Sequence, residues 1–269
     1  MNYHSNQWIM QQLYRHEQEA LKRYKENQII GIFCQGSQNY NLDTENSDID
    51  TKCILVPSFK DIALAKPLVS TTHVLDNNEH LDAKDIRSYM SCFRKQNLNF
   101  LEILFTDFAI INPIYFQEWS RLIAAREAIA RMNPSRAVRS MKGVAMEKFH
   151  AMEHLYPTKL DLIAKYGHDG KQTHHLLRVE DYLERYIAGE SYKSCLHPTP
   201  EKVAHMMEYK RQEIPLDVAR VEAAAALKHV EEMADAFCET HEDKEDETVK
   251  ELLEDVSYNI MKIAAKQEI

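Results

Sequence analysis

Gly36-Ser37-Gln38-Asn39-Tyr40-Asn41-Leu42-Asp43-Thr44-Glu45-Asn46-Ser47-Asp48-Ile49-Asp50 decides the reading of this 269-residue chain. Before it runs Ile29-Ile30-Gly31-Ile32-Phe33-Cys34, a short apolar run that suits a buried strand. After it, from about Asp48, a second strand pattern continues through Ile54-Leu55-Val56 and stops at Pro57. The period-2 geometry of a strand turns Asp48 and Asp50 to one face, with Lys52 beside them, and Ile49, Thr51 and Cys53 to the other. Two carboxylates so placed can hold a hard divalent cation through oxygen. Without a cation their mutual repulsion is costly once they are partly desolvated. Gly36 allows a phosphate to approach the backbone closely, and the Ser37 hydroxyl and nearby N–H groups can bond to its oxygens.

Outward from this segment, the first 112 residues read as mixed α/β. An amphipathic helix is predicted over 5–26, with Trp8, Ile9, Leu13 and Leu21 at helical spacing. A third strand is predicted over 79–84, then a helix over 86–95, and Phe108-Ala109-Ile110-Ile111 adds a further strand. After Pro113 the period changes to 3.6, which predicts helices near 114–131, 135–154, 171–188, 200–210, 215–238 and 246–265. The expected fold is therefore α+β: a mixed-sheet domain over 1–112 and an all-helical domain over 113–269.

The Gly-Ser pair, a ten-residue gap, and Asp-apolar-Asp between two strands resemble the DNA polymerase β-like nucleotidyltransferase superfamily. The longer strings Gly36–Leu42 and Ser47–Lys52 resemble its RNA-repair-associated bacterial and phage branch. So do Asp82-Ala83-Lys84 ahead of a helix, Asn97-Leu98-Asn99-Phe100-Leu101-Glu102-Ile103-Leu104-Phe105, and Lys165-Tyr166-Gly167-His168-Asp169-Gly170-Lys171-Gln172-Thr173-His174-His175-Leu176-Leu177-Arg178. The resemblance spans about residues 30 to 190 and implies Mg²⁺-dependent transfer of a nucleoside monophosphate from an NTP to a hydroxyl, with release of pyrophosphate. The acceptor would be an RNA 3′ end, a protein or a small molecule. It further implies two Mg²⁺ ions (or Mn²⁺) on Asp48, Asp50 and a third carboxylate, which also acts on the attacking hydroxyl. Gly36 and Ser37 would take the β- and γ-phosphates.

The candidates for the third carboxylate are Asp76, Glu79, Asp82 and Asp85. Asp82 is favoured, because Leu81 and Ala83 turn to the core and Lys84 shares its face; Asp85 suits the N-cap of the following helix. Lys52 and Lys84 are then expected at the nucleotide. On a helix Lys171, His175 and Arg178 share one face and are expected to meet the triphosphate or base. His174-His175 with Cys195 and His197 match no zinc-ligand spacing.

Charge is divided unevenly. The net charge is -9, but residues 231–255 carry twelve acidic groups against Lys244 and Lys250, and the remainder is close to neutral. Residues 121–148 hold seven basic groups (Arg121, Arg126, Arg131, Arg136, Arg139, Lys142, Lys148) against Glu127 and Glu147. The basic stretch is a candidate RNA- or nucleotide-facing surface, although its spacing does not keep to one helical face, and the acidic run reads as a solvated turn or helix end. Five scattered cysteines show neither a disulfide framework nor a CxxC pair. Together with the lack of a basic-then-apolar leader and of a membrane-length apolar run, this predicts a cytoplasmic protein with reduced thiols and no membrane partner. The competing functional class is a catalytically silent nucleotide-sensing or antitoxin-like interaction protein of the same fold, for which the acidic segment would be the partner site.

Overall fold

The computed structural model describes residues 2–268. The expected α+β class holds. Contacts divide the chain into two units, Met1–Met132 with Glu245–Ile269, and Asn133–Lys244.

In the first unit, α1 (Asn6–Leu21) starts at Ser5, whose hydroxyl accepts the Trp8 N–H, and buries Ile9, Leu13, His16 and Ala20 along one stripe. It ends short of the predicted 26, because Arg23 and Tyr24 turn back to the Ala20 carbonyl. The strands are β1 (Ile29–Gln35), β2 (Asp50–Leu55), β3 (Ser70–Val74), β4 (His80–Asp85) and β5 (Ala109–Ile111), in the sheet order β3-β4-β2-β1-β5. β1 pairs antiparallel with β2 and β5, β2 runs parallel to β4, and β3 runs antiparallel to β4. β1 is buried from Ile29 to Cys34, which explains why it reads as an unbroken apolar run. β3 escapes sequence reading for the opposite reason: it is an edge strand, exposed at most of its residues, and carries no burial alternation.

Short helices α2 (Phe59–Ala63), α3 (Ile86–Arg94) and α4 (Leu98–Leu101) follow in the connections, and α5 (Phe116–Ala124) and α6 (Arg126–Ala130) replace the single helix predicted over 114–131. α5 sets the Trp119 ring 4.6 Å from the Phe33 ring of β1. The helices after Pro113 therefore still serve the sheet's core. The change from sheet to helix near residue 112 is a change of local pattern, while the compact units divide at 132/133 and again at 244/245.

The second unit consists of α7 (Pro134–Ala151), α8 (Leu160–Tyr166), α9 (Gly170–Ile187), α10 (Tyr192–Leu196), α11 (Pro200–Lys210) and α12 (Leu216–Thr240). α9 is its central helix, packed by α7, α10, α11 and α12. After it, α13 (Glu247–Lys266) returns to the first unit and packs on α3 and α5. No helix among the described residues is long and apolar enough to cross a membrane. None of the five cysteines is in a disulfide.

Candidate active site

β1 delivers the chain to Gly36, whose φ of 100° is a conformation that side-chain-bearing residues rarely adopt. A 3₁₀ turn, Ser37–Tyr40, follows at once. Its polar side chains hold the loop to the strands. Asn39 donates from Nδ2 to the Cys34 carbonyl at 2.9 Å and accepts the Thr106 hydroxyl at 2.6 Å, and Gln38 donates to the Asp48 carbonyl at 2.8 Å. Buried Asp43 accepts the Tyr3 and His4 backbone N–H groups. Gly36-Ser37 and Asp48-Ile49-Asp50 thus meet at one end of two paired strands, since Gln35 pairs with Asp50.

Register then places the remaining side chains. Lys52 lies opposite Asp82 across the parallel β2–β4 pair, so Asp50, Lys52, His80, Asp82 and Lys84 share one face of the sheet. Leu81 and Ala83 are fully buried on the other face. Asp50 Oδ1 accepts the His80 backbone N–H at 2.8 Å and lies 3.1 Å from His80 Nδ1. Asp48, two residues before the strand begins, is exposed and has no hydrogen-bond or ion-pair partner for its carboxylate among the described residues.

Asp82 has a different environment. Its Oδ2 accepts Lys84 Nζ at 2.6 Å and lies 3.6 Å from Lys52 Nζ, and its Oδ1 accepts the Thr72 hydroxyl at 3.1 Å. Both ammonium groups also lie over the Phe100 ring, at 4.4 Å for Lys52 and 5.2 Å for Lys84. Burial pushes the Asp82 carboxyl up, but the Lys84 hydrogen bond, the two lysine charges and the Thr72 hydroxyl outweigh it and hold the group below its usual range. Burial pulls the Lys52 ammonium down, against the opposing pull of Asp82.

The other third-carboxylate candidates lie elsewhere. Glu79 is buried and holds α1 to the start of β2: it accepts the Ile49 N–H at 3.2 Å and His16 Nε2 lies 3.0 Å away, with Arg15 paired to the same carboxylate. Asp85 caps α3, accepting the Arg87 N–H at 2.9 Å, and pairs with the Arg87 guanidinium. Asp76 is exposed. Phe100 and Thr72 are contributors that strand and helix periodicity did not point to, because one follows a loop and the other sits on the exposed edge.

As arranged, no group of three or more His, Cys, Asp or Glu among the described residues is placed to hold a metal ion. Asp48 and Asp50 fit one as a pair, because Mg²⁺ is commonly bound by one or two carboxylates with water and substrate phosphates completing its shell. Asp82 fits poorly in this arrangement, because two ammonium groups share its Oδ2 and their charges oppose a cation there.

In the second unit, the segment from Gly167 to Arg178 is built into its own fold. Asp169 caps α9 through the Lys171 N–H, Gln212 accepts the Gly170 N–H and donates to the His168 carbonyl at 3.0 Å, and His174 Nδ1 donates to the Met206 carbonyl at 2.9 Å. Lys171 is exposed, His175 partly covered and Arg178 buried. His174 is held down to about 4, chiefly by burial, and His175 is held well below its usual range by burial and then by positive neighbours.

Part of the basic stretch pairs with part of the acidic run. Arg121 pairs with Glu118 and Asp255, Arg136 and Arg139 with Asp243, Lys142 with Asp235 and Lys148 with Glu147.

No protein-family model matches the sequence, and no curated protein matches it. Among solved structures, the chain is similar to a nucleotidyltransferase-like protein from Exiguobacterium sibiricum 255-15, at 12% identity over 84% of this chain and 75% of that one, with a TM-score of 0.30.

Proposed function

We propose that this chain is a divalent-metal-dependent nucleotidyltransferase that moves a nucleoside monophosphate from an NTP to a hydroxyl. The supporting observation is the meeting of Gly36-Ser37 with Asp48 and Asp50 at one end of the β1–β2 pair. In this reading the acceptor oxygen bonds to the α-phosphorus, the bond to the β-phosphate bridge breaks, pyrophosphate leaves, and the hydroxyl proton passes to solvent. The backbone at Gly36 and the Ser37 hydroxyl hold the departing phosphates. Asp48 and Asp50 would hold Mg²⁺ or Mn²⁺, which supplies a Lewis acid for the phosphoryl oxygens. Lys171, His175 and Arg178 have no assigned step here.

One observation favours the silent, nucleotide-binding alternative: Asp82 is already neutralised by lysines. A single experiment decides between them. The full chain is incubated with each labelled NTP and Mg²⁺ or Mn²⁺, with and without total RNA, and pyrophosphate release and label transfer are followed. Release that disappears in Asp48→Ala supports transfer. Nucleotide binding without release from any NTP establishes the silent reading instead.

A further inference from the structure

We infer that Lys52 and Lys84, backed by Phe100, form the polyphosphate-receiving element of this site, and that Asp82 is their counter-ion rather than a metal ligand. This rests on the nucleotidyltransferase reading for the identity of the anion, a nucleoside polyphosphate chain.

Lys52 fixes the argument. Its side chain is 4% exposed, its ion-pair partner is Asp82, and the Phe100 ring covers it. A charge so covered cannot give up its carboxylate to an incoming cation without being left uncompensated, the most unfavourable outcome for a buried pair. With no anion bound, Asp82 is therefore tied to Lys52. Lys84 reinforces the tie from the same strand face. One carboxylate against two ammoniums leaves this cluster net positive. A divalent cation on Asp82 would have to sit beside two positive charges, whereas an anion would meet them favourably.

Access runs the right way. Lys84 is 21% exposed and borders β3, which is open to solvent at Ser70 and Thr72. An anion can reach Lys84 along this edge, with the buried pair behind it. On the same face lies Asp50, two residues from Lys52. Cation chemistry at Asp48–Asp50 and anion chemistry at Lys52–Lys84 are thus adjacent, as a metal-bound triphosphate requires.

The test separates the two chemistries without turnover. Free Mn²⁺ is titrated with the full chain and followed by its EPR signal, with no nucleotide present. Separately, inorganic tripolyphosphate binding is measured by calorimetry in excess chelator. Asp50→Asn is expected to weaken Mn²⁺ binding at least tenfold, while Asp82→Asn leaves it within about threefold of the parent, less than one tenfold step of 1.4 kcal/mol. Lys84→Met should weaken tripolyphosphate binding at least tenfold, and Lys84→Arg should restore most of it. Retained far-UV circular dichroism and melting temperature certify each variant as folded.

The inference is overturned if Asp82→Asn loses Mn²⁺ as Asp50→Asn does. It is equally overturned if the parent binds no tripolyphosphate in chelator, or if Lys84→Met binds it normally. Failure of the function reading looks different: both ligands bind as stated, yet no NTP yields pyrophosphate.

Discussion

Two polar segments of this chain carry comparable sequence signals, and the fold differs in how many of their charged groups it leaves open. In the first unit, Gly36–Asp50 and Asp82–Lys84 bring charged side chains to one face of a sheet. Asp48 there remains exposed, and the Asp82–Lys52–Lys84 cluster carries two cations to one anion. In the second unit, Gly167–Arg178 uses Asp169 to cap its own helix, the Gly170 N–H on the Gln212 side chain and His174 on the Met206 carbonyl. The difference shows that richness in Gly, His, Asp and Lys does not by itself tell which polar groups a fold leaves open. What distinguishes the two segments is whether the polar groups are still available after the fold has bonded its own backbone.

The comparison can be broken most sharply at the acidic pair. Asp48→Ala and Asp50→Ala should each lower metal-dependent pyrophosphate release by about 10³-fold or more, with an unchanged melting temperature in Asp48→Ala and a small drop in Asp50→Ala, which loses the His80 N–H bond. An inactive variant that is also unfolded would place the first segment with the second.

The next effect lies at His174, buried and neutral in the fold. Its folded pKa of about 4 lies below the ordinary 6.5, so the unfolded chain binds more protons between these values. The stabilisation is fully present above pH 6.5 and is lost as the pH falls through the window down to about 4. The shift corresponds to roughly 3 kcal/mol at most. Urea melts across this range should show stability falling with acidity, with a flatter slope in His174→Gln. An unchanged slope would show that this histidine is not buried as a neutral group.

A smaller loss is expected from Gly170→Ala, since a Cβ at this position would overlap the Tyr209 carbonyl oxygen. Overpacking of this kind typically costs about 1–3 kcal/mol, read as a lower denaturant midpoint, while the Mn²⁺ titration should not move. A variant that keeps its stability but loses a ligand would turn the second segment into a site.

The smallest effect belongs to the charge runs. Arg139→Ala, which breaks a pair with Asp243 across 104 residues of sequence, should cost about 0.2–1 kcal/mol and less in high salt. Loss of RNA retention in this variant, with stability intact, would instead identify the arginine as a nucleic-acid contact.

Much of the sheet was legible from local pattern. The apolar run of β1, the alternation of β2 and β4 and the cap at Asp85 depend on neighbours within a few residues, and all appear close to where the spacing puts them. β3 was not legible because it buries almost nothing. The break between α5 and α6 at Ala125 was missed because helical periodicity continues across it.

Sequence alone determined that Asp50 and Lys52 share a face, that Asp82 and Lys84 share one, and that Gly36 opens a turn, because side-chain alternation and backbone conformational freedom are properties of a short stretch of chain. Tertiary structure alone decided what each charged group meets. Strand pairing set Lys52 opposite Asp82, and Phe100 came under both ammoniums from α4. The acidic run folded back onto the arginines it had been set against in the charge count. Charge partners are chosen by proximity in space, and a side-chain pattern records which face a residue takes but not which distant segment arrives there.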